Sequence, residues 1–127
     1  MGEELVLQSR LGERWEHIYR VVPLPRFDVE YDIVNWFAAS HPDSPYRSNL
    51  IAARPGPGRT RLTLFNARLN IRHASGTVER MMLDGPQAYR DALENMFGLH
   101  ITEKELAQAL VTVEAKGSKG APHPFFA

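Results

Sequence analysis

The chain opens with a short apolar run from Leu5 to Ser9, a turn at Gly12 and an alternating run from Arg14 to Val22. In the second run Trp15, His17, Tyr19 and Val21 fall on one face, with Glu16, Ile18, Arg20 and Val22 on the other. That period of two predicts a strand. Pro23 and Pro25 end it, because neither has an amide hydrogen to give a ladder. The period then lengthens. Val29, Ile33, Trp36 and Phe37 recur at the spacing of one helical face, and the same spacing marks Trp36 and Phe37 as core. Asp28 is the expected N-cap, its carboxylate facing the free amides of the first turn. The helix is expected to stop near Ser40, since a residue before proline, here His41 before Pro42, avoids the helical region. A loop from Asp43 to Ser48 leads into Leu50 to Ala53.

Pro55-Gly56-Pro57-Gly58 is the strongest turn signal in the chain. Three alternating runs follow: Arg61 to Phe65, Ala67 to His73 and Thr77 to Leu83, with Ser75-Gly76 turning between the last two. In the middle run Ala67, Leu69 and Ile71 share one side and Arg68, Asn70 and Arg72 the other, which predicts an antiparallel meander with one wet face. Tyr89, Leu93, Met96 and Phe97 form a second helical stripe, core by the same argument, and Gly98 suits a left-handed C-cap. Thr102 and Glu105 make a capping box for a third helix with Leu106, Leu110 and Val113 on its apolar face. The residues from Gly117 to Ala127 read as a loosely held tail. The expected fold class is α+β, an antiparallel meander with about three helices.

Composition narrows the function classes. The chain has 127 residues, 43% hydrophobic and 24% charged, which suits one globular domain or a piece of one. Lys plus Arg and Asp plus Glu are both 15, so there is no basic excess to meet nucleic acid. No apolar run approaches a membrane span, and the N-terminus has no basic leader, which makes the cytoplasm the default location. There is no cysteine, so no thiolate is available as metal ligand or nucleophile. The five histidines, His17, His41, His73, His100 and His123, have no helical ligand spacing, and no metal site is expected.

Trp15 and Tyr19 before a proline, then Asp28, Asn35 and Trp36, then Ser40, Pro42, Ser44 and Tyr46, then Tyr89, Leu93 and Phe97-Gly98-Leu99 occur in an order that resembles the arylamine N-acetyltransferase family. Residues 40 to 46 match its Ser-x-Pro-x-Ser-x-aromatic loop. The resemblance implies a C-terminal part of such an enzyme. Residues 1–25 would be strands from the end of the β-barrel, 26–116 an α/β lid, and 117–127 a tail. It implies acetyl transfer from acetyl-CoA to arylamines or hydrazines through a cysteine, activated by histidine and aspartate. All three of those residues belong upstream of the matching region. No catalytic residue is therefore expected in this chain, which is expected to be inactive alone.

What carries over is a wall of the substrate and CoA cleft. Tyr46 takes the place of the loop aromatic that faces the reactive sulfur, and its hydroxyl, absent from the family's usual phenylalanine, needs a partner if buried. Ser44 is expected to orient the loop or contact CoA. Ser44, His41 and Asp43 have the residue types of a triad, but four neighbouring positions in a proline-bounded loop read as turn residues bonding the local backbone. Gly56-Pro57-Gly58-Arg59-Thr60 lacks the lysine and following helix of a phosphate loop and reads as a hairpin turn. Arg59, Arg61, Arg68, Arg72 and Arg80 are expected on a solvated sheet face, with CoA phosphates as the alternative. The expected partner is an N-terminal catalytic segment or another copy of the chain. The competing function is a non-enzymatic, oligomerising binding module derived from the lid.

Overall fold

The computed structural model describes residues 3–116; the expected tail from residue 117 onward lies outside the described residues. Strands β1 (Leu5–Leu11) and β2 (Arg14–Val21) form a two-stranded antiparallel sheet. Gly12 turns the chain between them at φ +64°, a conformation only glycine adopts without strain. The ladder pairs Leu7 with Tyr19 and then Gln8 with His17, so Ile18 is an extra residue on β2. This bulge interrupts the alternation expected to hold Trp15, His17, Tyr19 and Val21 on one face.

Helix α1 spans Asp28–Ser40, and a single-turn helix α2 covers Pro45–Ser48. Then come β3 (Ile51–Pro55), a 3-10 turn at Pro57–Arg59, β4 (Arg61–Phe65), β5 (Arg68–Arg72) and β6 (Val78–Met82). These four strands pair in sequence order, each antiparallel to the next. The meander predicted from three runs thus gains β3 at one edge. Helix α3 (Gly85–Asp91) continues through a π-helical turn at Ala92–Met96, and α4 spans Glu103–Lys116. No helix among the described residues is long and apolar enough to cross a membrane.

The core lies between one face of the four-stranded sheet and the last two helices. Leu62 and Leu64 of β4 and Leu69 of β5 meet Tyr89, Ala92, Leu93 and Phe97 from the α3 segment and Leu106 from α4. Leu64 is fully buried and Leu69 nearly so. The period-2 and period-3.6 stripes read from the sequence therefore converge on one another. Burial pushes the Tyr89 phenol above its ordinary pKa, with the charges of Asp84 and Glu114 adding to the effect, so the ring stays neutral in the core.

Three expectations fail here. Asp28 is not the N-cap of α1: Phe27 occupies that position, and Glu30 reaches back to accept from the Phe27 amide at 2.9 Å. The second face of the sheet is not simply wet, because Thr63 and Asn70 are buried on it. Arg61 is held below its ordinary pKa first by burial and then by Arg72, its direct partner across β4 and β5. The third concerns α1. Trp36 and Phe37 are expected in the core and share a stripe with Val29 and Ile33, yet the four are 44–61% exposed and the helix buries no residue. Tyr31, Val34 and Ala38 add a second apolar strip beside the first at the helical period.

Candidate functional site

The segment from Ala38 to Asn49 is built around the carbonyl groups that helix α1 leaves open at its end. The amide of His41 closes onto the Phe37 carbonyl at 3.1 Å. The Ala38 carbonyl would next accept from residue 42, but Pro42 has no hydrogen to give. The Ser44 hydroxyl takes that place, donating to the Ala38 oxygen at 2.6 Å. Arg47 donates from Nη1 to the Ser40 carbonyl at 2.7 Å. The serine-proline-serine pattern is thus a helix-ending device, and Ser44 is fully buried within it.

Ser44 is also the N-cap position of α2, where Pro45 occupies the first turn and needs no hydrogen-bond acceptor. The expected loop from Asp43 to Ser48 is therefore helical over Pro45–Ser48. A second set of bonds ties this segment to the sheet. Asn66, in the β4–β5 turn at φ +53°, accepts from the Leu50 amide at 2.9 Å and donates from Nδ2 to Asn49 Oδ1 at 2.9 Å. Asn49 in turn donates to the Pro45 carbonyl at 2.9 Å. Asn66, Asn49 and Arg47 escaped the sequence reading. Asn66 alone carried a signal, since asparagine tolerates the left-handed region that a two-residue turn requires.

Tyr46 is carried on α2 with 70% of its surface exposed. Helix α1 carries Trp36 and Phe37, against which the His41 ring packs, edge-on to Trp36 at 5.7 Å and stacked on Phe37 at 4.6 Å. The triad-like trio behaves as turn residues. His41 Nδ1 accepts from the Asp43 amide at 3.1 Å, while the Ser44 hydroxyl is spent on Ala38 and does not face the imidazole. Nothing in this loop activates a nucleophile. Ser44 and Tyr46 lie two residues apart, yet one holds the backbone and the other faces outward.

The outward face is the feature the sequence did not reveal. Phe27, Val29, Tyr31, Ile33, Val34, Trp36 and Tyr46 are each more than half exposed. So many large apolar residues left bare on one helix and the turn after it suit a site that meets another body. The hairpin of β1 and β2 extends the same character through Leu5, Trp15 and Tyr19, each also more than half exposed.

The model of the N-acetyltransferase family matches residues 1–106. The chain is 24% identical over 106 residues to an arylamine N-acetyltransferase of Mycolicibacterium smegmatis, covering 79% of this chain and 36% of that protein. It is 28% identical over 127 residues to the arylamine N-acetyltransferase / N-hydroxyarylamine O-acetyltransferase of Salmonella typhimurium, covering 94% and 45%. The fold superposes on the Mycobacterium marinum arylamine N-acetyltransferase solved in complex with CoA, with a TM-score of 0.67 and 28% identity over 91% of this chain and 41% of that one. The chain therefore spans less than half the length of these relatives.

Proposed function

The chain belongs to the arylamine N-acetyltransferase family, and on that premise we propose that it forms one wall of an acyl-transfer cleft whose reactive sulfur comes from another segment. In this reading residues 26–116 are the lid and residues 1–25 the last strands of a neighbouring barrel. The acetyl group passes from acetyl-CoA to a cysteine thiolate, and from there to an arylamine or hydrazine. This chain has no cysteine, so the thiolate belongs to a catalytic segment that packs against it. Tyr46 lines the cleft and sets which amines fit. Ser44 contributes by position, because its hydroxyl is already engaged and fixes the start of α2. The same reading carries the cytoplasmic location expected from the sequence.

One observation carries this proposal: the loop motif at residues 40 to 46 follows directly on α1, a helix that buries none of its residues. Burying a side chain such as Ile33 or Phe37 against a partner contributes about 1.5–3 kcal/mol. A helix with two apolar strips and no buried residue is therefore built to be covered. CoA fits the family, and its solved relative holds it. Within this chain Tyr46 and Ser44 are the residues assigned to the cleft.

The test is acetyl transfer from acetyl-CoA to an arylamine hydrazide. The chain alone is expected to give no turnover. Turnover is expected when it is mixed with a family segment bearing the cysteine, histidine and aspartate. A second reading draws on the hairpin, whose two strands pair, among the described residues, only with each other. Their outer edges suit pairing with another copy, as an oligomerising module without activity. Light scattering separates the two: a monomer that binds the catalytic segment supports the first, and a stable dimer that ignores it supports the second.

A further inference from the structure

The outer face of the four-stranded sheet, opposite the helices, is buried along a strip one chain wide. Cross-strand pairing sets Ala53, Thr63, Asn70 and Arg80 in one row across β3, β4, β5 and β6. In the middle of that row Thr63 and Asn70 are 5% and 3% exposed, whereas Ala53 and Arg80 at its ends are exposed. Along the two inner strands Arg61, Phe65, Arg68 and Arg72 share the face and are half-buried. A sheet face open to water leaves short polar side chains wet. Here water is excluded over β4 and β5 and admitted on either side of them.

The described helices do not supply that cover. Helices α3 and α4 meet the sheet through Leu62, Leu64 and Leu69, which alternate to the opposite face. Helix α1 buries none of its residues, and α2 lies against α1 and α4. The hairpin comes close at its tip, where a methyl group on Gly12 would lie 3.2 Å from the Ser75 carbonyl oxygen, in the turn beyond the end of β5. There remain the eleven residues that follow α4, Gly117 to Ala127. Extended, they reach about 36 Å. That exceeds about 10 Å for one packed layer plus about 17 Å for a strand of β4's length. Gly117 and Gly120 permit a reversal of direction. Ala121 and His123 each precede a proline, which favours extended backbone. Phe125 and Phe126 are the large apolar side chains of the segment, and aromatic rings pack on arginine stems and guanidinium faces such as those flanking the strip.

We propose that residues 121–126 run extended along the outer face of β4 and β5 as a strap over Thr63 and Asn70, with a phenylalanine ring packed among Arg61, Phe65 and Arg72. The segment whose composition reads as a loose tail is then part of the packing of the domain. Burial, the first cause of the lowered Arg61 pKa, accords with a cover on this side of the sheet. The strap uses neither Ser44 nor Tyr46, so it is independent of the acyl-transfer role.

The chain has no cysteine, so Ala127→Cys gives a single attachment point for a nitroxide on the full chain. Paramagnetic broadening is expected to be stronger at the amides of Thr63 and Asn70 than at those of Leu106 and Leu110 on the helix side, and to persist on dilution. Phe125→Ser combined with Phe126→Ser, in the same labelled chain, should abolish that difference. The double variant should also speed amide exchange at Thr63 and Asn70 at least about tenfold, the factor for losing one buried phenylalanine. Broadening centred on Leu106 and Leu110, or absent from both faces, overturns the proposal. So does broadening that fades on dilution and returns when labelled and unlabelled copies are mixed, which would make a second copy the cover. Exchange at both amides left unchanged by the double variant overturns it as well.

Discussion

The carbonyl of Ala38 explains why a serine stands two residues after a helix-ending proline. Pro42 removes the amide that would have satisfied it, and the Ser44 hydroxyl replaces that donor from a fully buried position. Ser44→Ala should therefore cost about 1–3 kcal/mol, the penalty of a buried acceptor left without a donor. Urea unfolding of the variant measures it, and a change within a few tenths would contradict the assignment. Asn66→Ala removes two bonds at once, to the Leu50 amide and to Asn49, and should cost a similar amount. It should also raise amide exchange at Leu50. The spacing of proline and serine made Ser44 visible in the sequence. Arg47 and Asn49 were not visible, because their partners are backbone carbonyls whose direction depends on α2.

Periodicity made most elements legible, and the exceptions share a cause. Strand β4 and its neighbours were readable because alternation survives wherever one face packs on helices. Leu64→Ala in that layer should cost about 2–5 kcal/mol by chemical denaturation, since the site has no exposed edge into which it can relax. The bulge at Ile18 left no mark because an extra residue does not alter composition. The stripe of α1 implied a buried face, and the helix buries none of its residues.

Helix α4 shows a local rule obeyed as written. Its cap is reciprocal: Thr102 donates its amide to Glu105 at 2.8 Å, and the Glu105 amide returns to the Thr102 hydroxyl at 3.3 Å. The Thr102 amide, and then the Thr102 hydroxyl donating to the same carboxylate oxygen at 2.8 Å, hold the Glu105 carboxyl below its ordinary pKa of 4.5. Because the folded value is the lower one, the stabilisation is present above the unfolded value and is lost as pH falls through the folded one. The first turn of α4 should fray in acid, read as faster amide exchange at Thr102, and Glu105→Gln should remove that pH dependence.

At the scale of the molecule, two surfaces of different quality share one small chain. The sheet and the last two helices enclose a complete core, whereas α1, α2 and the hairpin display their apolar residues outward. The relatives are more than twice as long as the stretch they share with this chain, which supplies a body large enough to cover that surface. If it does, Trp36 fluorescence should shift to the blue when the catalytic segment is added, and Trp36→Ala should weaken the association. The resemblance in residues 40 to 46 was legible because proline, serine and an aromatic stand there at fixed spacing. That α1 buries none of its residues was not, because a sequence reports an apolar face and never what packs against it.

The most direct measurement is acetyl transfer to an arylamine hydrazide by the purified chain, with and without a segment carrying the cysteine. The account predicts no turnover by the chain alone and turnover once the thiolate is supplied. Acetylated product formed by these 127 residues unaided would contradict it.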